Sequence, residues 1–310
     1  MICSLKQLRR YSTVVADTAD VEAIARFQPT DATTNPSLIL RQAQADQKTD
    51  LIQSTRQKLA QGKFDSSADA VRELAIQFGA QITHQIPGYV STEVNAMLSF
   101  DQQGSVNEAH KIIARYQDLG VPKERILIKL ASTWEGIQAA SELESEGIGC
   151  NLTLLFCESQ AIAAAHAKAT LISPFVGRIY DWHVANGFTP KSISTDPGVL
   201  SVQSIYRLYK AHAVKTIIMG ASFRTSDQVM ALAGCDKLTI SPSLLNELEH
   251  RDDHVQPLEV PEPTTAELPQ IERNQFLLAM ASDSMAHEKL AAGITQFVED
   301  QTALEALLRN

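Results

Sequence analysis

Lys129 stands in the run Arg125-Ile-Leu-Ile-Lys-Leu-Ala-Ser-Thr133, at a position where strand alternation would bury its side chain. Lysine is almost never fully buried without a partner or a purpose. At the reference pKa of ~10.4, about one lysine amine in 2,500 is neutral at pH 7, and burial lowers such a pKa by up to ~3–5 units. A buried amine of this kind is fitted to attack a carbonyl and form a Schiff base. The competing reading puts Lys129 on the wet face of a half-buried strand. Against it, Ile126, Ile128 and Leu130 make one face apolar, and Leu127 and Ala131 flank the lysine on the other. That two-sided pattern belongs to parallel sheets covered by helices.

Other reactive or binding groups recur at the ends of β-like runs. Asp17 ends the first, Thr33-Thr34-Asn35-Pro36 the second and Glu93 the third. Asn151 and Thr153 alternate onto one face of the fifth, Ser173 ends the sixth with Arg178 after it, and Ser222 and Arg224 follow the seventh. Each has a plain structural alternative. Asp17 could be a helix N-cap and Asn35-Pro36 a helix start. Glu93 could be a surface acid, Asn151 and Thr153 could satisfy backbone groups, and Arg224 could be a salt-bridged rim residue. Taken together they suit one chemistry. The amine forms an iminium with a ketose, carboxylates move the hydroxyl and water protons, and arginines hold a phosphate.

The elements that must position these groups alternate short β-branched runs with helical patterns, the signature of a parallel sheet. Strands are expected at 13–16, 32–34, 90–93, 126–130, 151–155, 171–173, 216–219 and 238–240. Helices are expected at 21–27, through Gln57, at 68–79, at 105–119 and at 158–169. Ser132 and Glu135 read as a capping box for a helix that stops at Gly147. Residues 189–198 read as a loop and helix entry, 250–269 as a loop or irregular excursion, and 274–308 as helices outside the barrel or across its mouth. Eight strands over 310 residues fit an α/β fold of one (β/α)8 TIM-barrel domain, residues 1–310, with extra C-terminal helices. An open doubly wound sheet is the alternative.

The composition excludes several classes. With 27 Lys+Arg against 36 Asp+Glu, the net charge of −9 argues against nucleic-acid and membrane-surface partners. The first ten residues hold no apolar signal core, and Cys3, Cys150, Cys157 and Cys235 show no metal or disulfide spacing. A cytoplasmic protein without metal or other cofactor is expected.

The chain resembles the transaldolases of the long bacterial and eukaryotic type. The likeness rests on 12–18, Asp31-Ala-Thr-Thr-Asn-Pro-Ser-Leu38, Ser91-Thr-Glu-Val94, Ile126–Thr133, Asn151–Phe156, Ser173-Pro-Phe-Val-Gly-Arg178 and Met219–Arg224. The resemblance implies a class I aldolase-type barrel of the pentose phosphate pathway. Such an enzyme moves a dihydroxyacetone unit from sedoheptulose 7-phosphate to glyceraldehyde 3-phosphate, yielding erythrose 4-phosphate and fructose 6-phosphate. It also implies Lys129 as the Schiff-base lysine, Asp17 as the base for C–C cleavage, and Glu93 with Thr153 and a water as the proton carriers. Asn35, Asn151 and Ser173 would hold the dihydroxyacetone hydroxyls, beside Thr33, while Arg178, Ser222 and Arg224 would hold the phosphate. A homodimer is compatible with the family, though no residue read here identifies an interface. Tyr89, Asn95 and Met97 depart from the family's usual Arg, Asp and Arg, with an expected effect on the rim or on an ion pair near Glu93.

Two other functions compete. Fructose 6-phosphate aldolase, a shorter relative, releases dihydroxyacetone; it carries Tyr at the place of Phe175 and Gln at that of Glu93, so both residues favour transfer. A non-catalytic sugar-phosphate-binding barrel would need the arginines but would have no use for Lys129.

Overall fold

A computed structural model of the chain describes residues 2–45 and 50–309. Its strands are β1 Thr13–Asp17, β2 Asp31–Thr33, β3 Val90–Glu93, β4 Ile126–Ala131, β5 Cys150–Leu155, β6 Leu171–Pro174, β7 Ile217–Gly220 and β8 Lys237–Ile240. Every strand pairs in parallel with its neighbour in sequence order, and β8 returns to β1. Closure makes this a (β/α)8 TIM barrel and rules out the open sheet. Each strand limit falls within one residue of its expected position.

The alternation read in β4 holds all round the barrel. All six β4 residues are buried. Ile126, Ile128 and Leu130 belong to the large cluster under the outer helices, whereas Leu127 joins Val15, Leu171 and Met219 in a separate cluster inside the barrel. Lys129, two residues beyond Leu127, therefore points inward, one layer nearer the strands' C-terminal ends.

Helix ends differ in instructive ways. Thr133, not Ser132, caps helix Trp134–Ser145, its hydroxyl accepting from the Gly136 N–H. The Ser132 hydroxyl donates instead to the Thr153 carbonyl at 2.7 Å, which ties β4 to β5. A five-residue helix, Ser4–Leu8, which charge obscures in the sequence, buries Leu5 and Leu8. Helix Gly177–Ala185 occupies the stretch just before the expected 189–198 loop. The helical span expected through Gln57 forms as Pro36–Ala45 and Asp50–Ala60; its residues 46–49 lie outside the described residues. Residues 251–272 form no regular element, as their prolines require.

The last two helices are Arg273–Ser282 and Ser284–Arg309. The longer one packs on Pro36–Ala45, Asp50–Ala60 and Ser67–Thr83, with Leu304 and Leu308 buried among Ile39, Ile52 and Leu74. It also packs on β5 and on helix Gly177–Ala185. At Gly293 a Cβ would lie 2.6 Å from the Leu154 Cδ2 and 2.8 Å from the Arg178 Nη1, so a larger residue there would have to displace these side-chain tips. Among the described residues, no helix is long and apolar enough to cross a membrane.

Candidate active site

Parallel register sets the first contacts. Lys129 lies opposite Glu93 on β3 and Asn151 on β5. Its amine sits 3.1 Å from Glu93 Oε2 and donates to the Thr34 carbonyl at 3.1 Å. Both side chains are 6% exposed. The amine is thus not isolated in an apolar wall, as β4 alone would leave it; it is half of a buried ion pair. Glu93 Oε2 has no hydrogen-bond partner beyond this contact, and Thr153 Oγ1, also buried, has none among the described residues. Burial raises the Glu93 carboxyl above its ordinary value, and Lys129 only partly opposes that rise.

A cavity of about 580 Å³ opens at the C-terminal ends of the strands, a size typical of ligand sites. All the sequence-predicted site residues line it except Glu93 and Asn151. Glu93 lies behind Lys129 and faces two smaller cavities instead. Asn151 is fully buried one layer down, its amide donating to Ser91 Oγ at 3.0 Å and its oxygen accepting from Ser173 Oγ at 2.6 Å. It orients Ser173, and it does not itself reach the cavity.

Asp17, at the end of β1, caps no helix; Asp20 does that for Val21–Phe27. Asp17 Oδ1 accepts from the Thr33 hydroxyl at 2.9 Å, and Thr33 meets Thr239 at 2.7 Å. Burial raises the Asp17 carboxyl, against the lowering pull of Lys129 and then of the Thr33 hydrogen bond. Asn35 does act as a helix start, Oδ1 accepting from the Leu38 N–H at 2.9 Å, while its side chain still lines the cavity. In β5, Leu154 adopts a left-handed φ of 53° where the register with β6 shifts. Thr153, which lines the cavity, directly precedes this irregularity.

The far end of the cavity is cationic. The Arg178 guanidinium lies 5.2 Å over the Phe175 ring and 5.6 Å over that of Phe297. Its desolvation, with Arg224 nearby, lowers its pKa from the ordinary value. Phe175 packs edge-on against Phe156 at 5.6 Å. Arg224 bears out its rim reading as well as lining the cavity, since it pairs with Asp181 at 2.6 Å.

Sequence reasoning missed Phe297, Thr239, Arg41 and Asp181. Thr239 alternates with Leu238 and Ile240 as Thr153 does with Leu152 and Leu154, so the same pattern could have found it. Phe297 gave no local signal, because a helix read as lying outside the barrel or across its mouth singles out no residue. The three departures lie away from the cavity. Tyr89 sits at the opposite end of the barrel under Lys237, Asn95 caps the turn Ala96–Leu98, and Met97 is exposed. The Glu93 ion pair is intact without them.

Similarity to known proteins agrees with this geometry. The family model described as transaldolase/fructose-6-phosphate aldolase matches residues 14–308. A transaldolase of Shewanella oneidensis is 50% identical over 316 residues, covering 100% of this chain and 98% of the relative. A transaldolase of Pseudoalteromonas atlantica is 51% identical over 314 residues, covering 99% and 98%. The chain belongs to the transaldolase/fructose-6-phosphate aldolase family.

Proposed function

We propose that this enzyme is a transaldolase in which Lys129 carries the dihydroxyacetone unit as a Schiff base. The observation that carries the reading is the buried Lys129–Glu93 pair at the wall of a cavity shared with Asp17. Glu93 takes a proton from the amine, and the neutral nitrogen attacks the ketose C2 carbonyl. The carbinolamine loses its hydroxyl as water, with the proton supplied through Glu93 and the unpartnered Thr153 hydroxyl, and leaves an iminium. Asp17 removes the C4 hydroxyl proton. The C3–C4 electron pair then moves into the iminium to give an enamine, and the aldehyde leaves. A second aldehyde enters, and the steps reverse onto it.

Thr33, Asn35 and Ser173, the last oriented by Asn151, would meet the hydroxyls of the tethered fragment. Arg178, Ser222 and Arg224 would hold the phosphate of each aldehyde in turn. Sedoheptulose 7-phosphate and glyceraldehyde 3-phosphate are the proposed pair, in a cytoplasmic, cofactor-free enzyme. One catalytic domain over residues 1–310, assembled as a homodimer and without a nucleic-acid or membrane partner, completes the proposal.

Fructose 6-phosphate aldolase activity is the second reading that the family name admits. Phe175 counts against it, since a phenyl ring on the cavity wall cannot position the water that would protonate and release the enamine. A coupled assay separates the two readings. Product formed only with an aldehyde acceptor supports transfer, whereas free dihydroxyacetone appearing at a comparable rate would overturn it.

A further inference from the structure

The two arginines of the cationic end are held in different ways. Arg178 rests against aromatic faces, and no carboxylate pairs with it among the described residues. Arg224 is gripped along one edge: Nε donates to Asp181 Oδ1 at 3.2 Å and Nη2 to Oδ2 at 2.6 Å. The remaining nitrogen, Nη1, reaches Ser222 Oγ at 3.4 Å and its carbonyl at 3.3 Å. Arg224 and Ser222 line the cavity, and Asp181 does not.

Asp181 belongs to a stiff frame. It lies on helix Gly177–Ala185, one turn beyond Gly177 and Arg178. The helix start is tied to the loop after β7 by Val176 N–H to the Ala221 carbonyl at 2.9 Å and Gly177 N–H to the Ser222 carbonyl at 2.7 Å. A Cβ at Gly177 would fall 2.2 Å from the Ser222 oxygen and 2.8 Å from Arg224, so only glycine permits this contact. Ser222 itself is held at a φ of 60°, a conformation that non-glycine residues rarely adopt.

We infer that Asp181 is a positioning residue for the phosphate subsite: it fixes the guanidinium plane so that Arg224 Nη1 and Ser222 Oγ face the ligand together. The inference rests on the phosphate role proposed above. It also explains a demand of the reaction. Two different aldehyde phosphates must occupy this end in succession while the three-carbon fragment stays tethered. A guanidinium held in one plane by Asp181 meets each phosphate with the same preset donors, so neither aldehyde has to reorganise the site on entry. An ion pair this exposed contributes little to folding stability, so its removal is read in ligand recognition.

The test compares acceptors with and without phosphate, glyceraldehyde 3-phosphate against D-glyceraldehyde. Asp181→Ala is expected to raise KM for the phosphorylated acceptor about tenfold with kcat within about twofold, and to leave KM for D-glyceraldehyde unchanged. Asp181→Asn keeps an acceptor oxygen for Nη2 and recovers most of the loss. Adding Asp181→Ala to Arg224→Ala changes nothing further. Equal effects on both acceptors, no effect on either, or an effect that persists without Arg224 would overturn the inference. A wild-type enzyme indifferent to the phosphate would instead bring down the phosphate reading itself.

Discussion

Among the described residues, the barrel contains two inward-facing lysine–carboxylate pairs, one at each end. Near the mouth, Lys129 meets Glu93. At the opposite end, Lys237 meets Asp31, with the amine 4.8 Å over the Tyr89 ring and Asp31 Oδ1 accepting the Tyr89 N–H at 3.0 Å. Both lysines are nearly buried, at 5% and 8% exposure. Burial alone therefore does not mark a reactive amine. The lower pair is closed by its own neighbours and lies at the start of β8. In the upper one, Glu93 Oε2 has no polar partner but the amine among the described residues, and Lys129 shares its cavity with a second raised carboxyl, Asp17. Position along the barrel axis and unfinished hydrogen bonding separate chemistry from structure.

The largest expected effect breaks the comparison directly. Lys129→Met should abolish the borohydride-trapped adduct with fructose 6-phosphate and lower turnover by at least about 10³-fold. Lys237→Met should keep the adduct, with turnover per folded molecule within about threefold. Both variants strand a buried carboxylate, so each should lose about 3–5 kcal/mol in denaturant unfolding. For Lys129→Met the loss should shrink on acidification. The Glu93 pKa, already raised by burial, rises further without the amine, so its penalty is present above that pKa and relieved as pH falls through it. Mass spectrometry locates the adduct; a trapped ketose on Lys237 would undo the distinction.

The same pairs show what the sequence could and could not tell. Strand order, strand limits and the inward face of β4 were legible because period-two alternation and short connections admit few alternatives. Lys129 was legible because apolar residues bracket it on both sides. Lys237 was not, since it begins its strand and reads as a loop residue before Leu238. The partners of Lys129 were the harder part. Glu93 sits in register opposite it only once the barrel closes, and the amine's ion pair is invisible to a single strand. Arg178, Ser222 and Arg224 were legible from their places after the sixth and seventh strands, but Asp181, which grips Arg224, looks like any polar residue on an exposed helix. Phe297 was out of reach altogether: its place on the cavity wall is set by the packing of a helix more than a hundred residues from β5.

A smaller effect concerns pH. Burial raises both Asp17 and Glu93, so the acidic limb of kcat/KM should fall above the ~3.9–4.3 of free carboxyl groups. The Thr33 hydrogen bond favours ionised Asp17. Thr33→Val removes that support, so the carboxyl should hold its proton to higher pH and the limb should move further up. An unchanged limb in the variant, or one at ordinary carboxylate values in the wild type, would show that Asp17 is not the group whose ionisation starts the cleavage step.

The mildest pair of substitutions sharpens the contrast between an unpaired and a paired hydroxyl on the same cavity wall. Thr153 and Thr239 are both buried inward threonines. Thr239 shares a 2.7 Å hydrogen bond with Thr33, whereas the Thr153 hydroxyl has no partner among the described residues. An unpaired buried hydroxyl is a stability cost, and a valine methyl of the same shape removes it. Thr153→Val should therefore leave stability unchanged or slightly higher while lowering turnover about 10²-fold, because proton transfer around the carbinolamine loses its hydroxyl. Thr239→Val should do the reverse, costing about 1 kcal/mol as Thr33 loses a partner, with turnover changed only a few-fold. Thermal unfolding and steady-state transfer rates on the two variants decide the matter. If Thr153→Val destabilises the fold and keeps its rate, its hydroxyl serves packing, and proton handling rests on Glu93 alone.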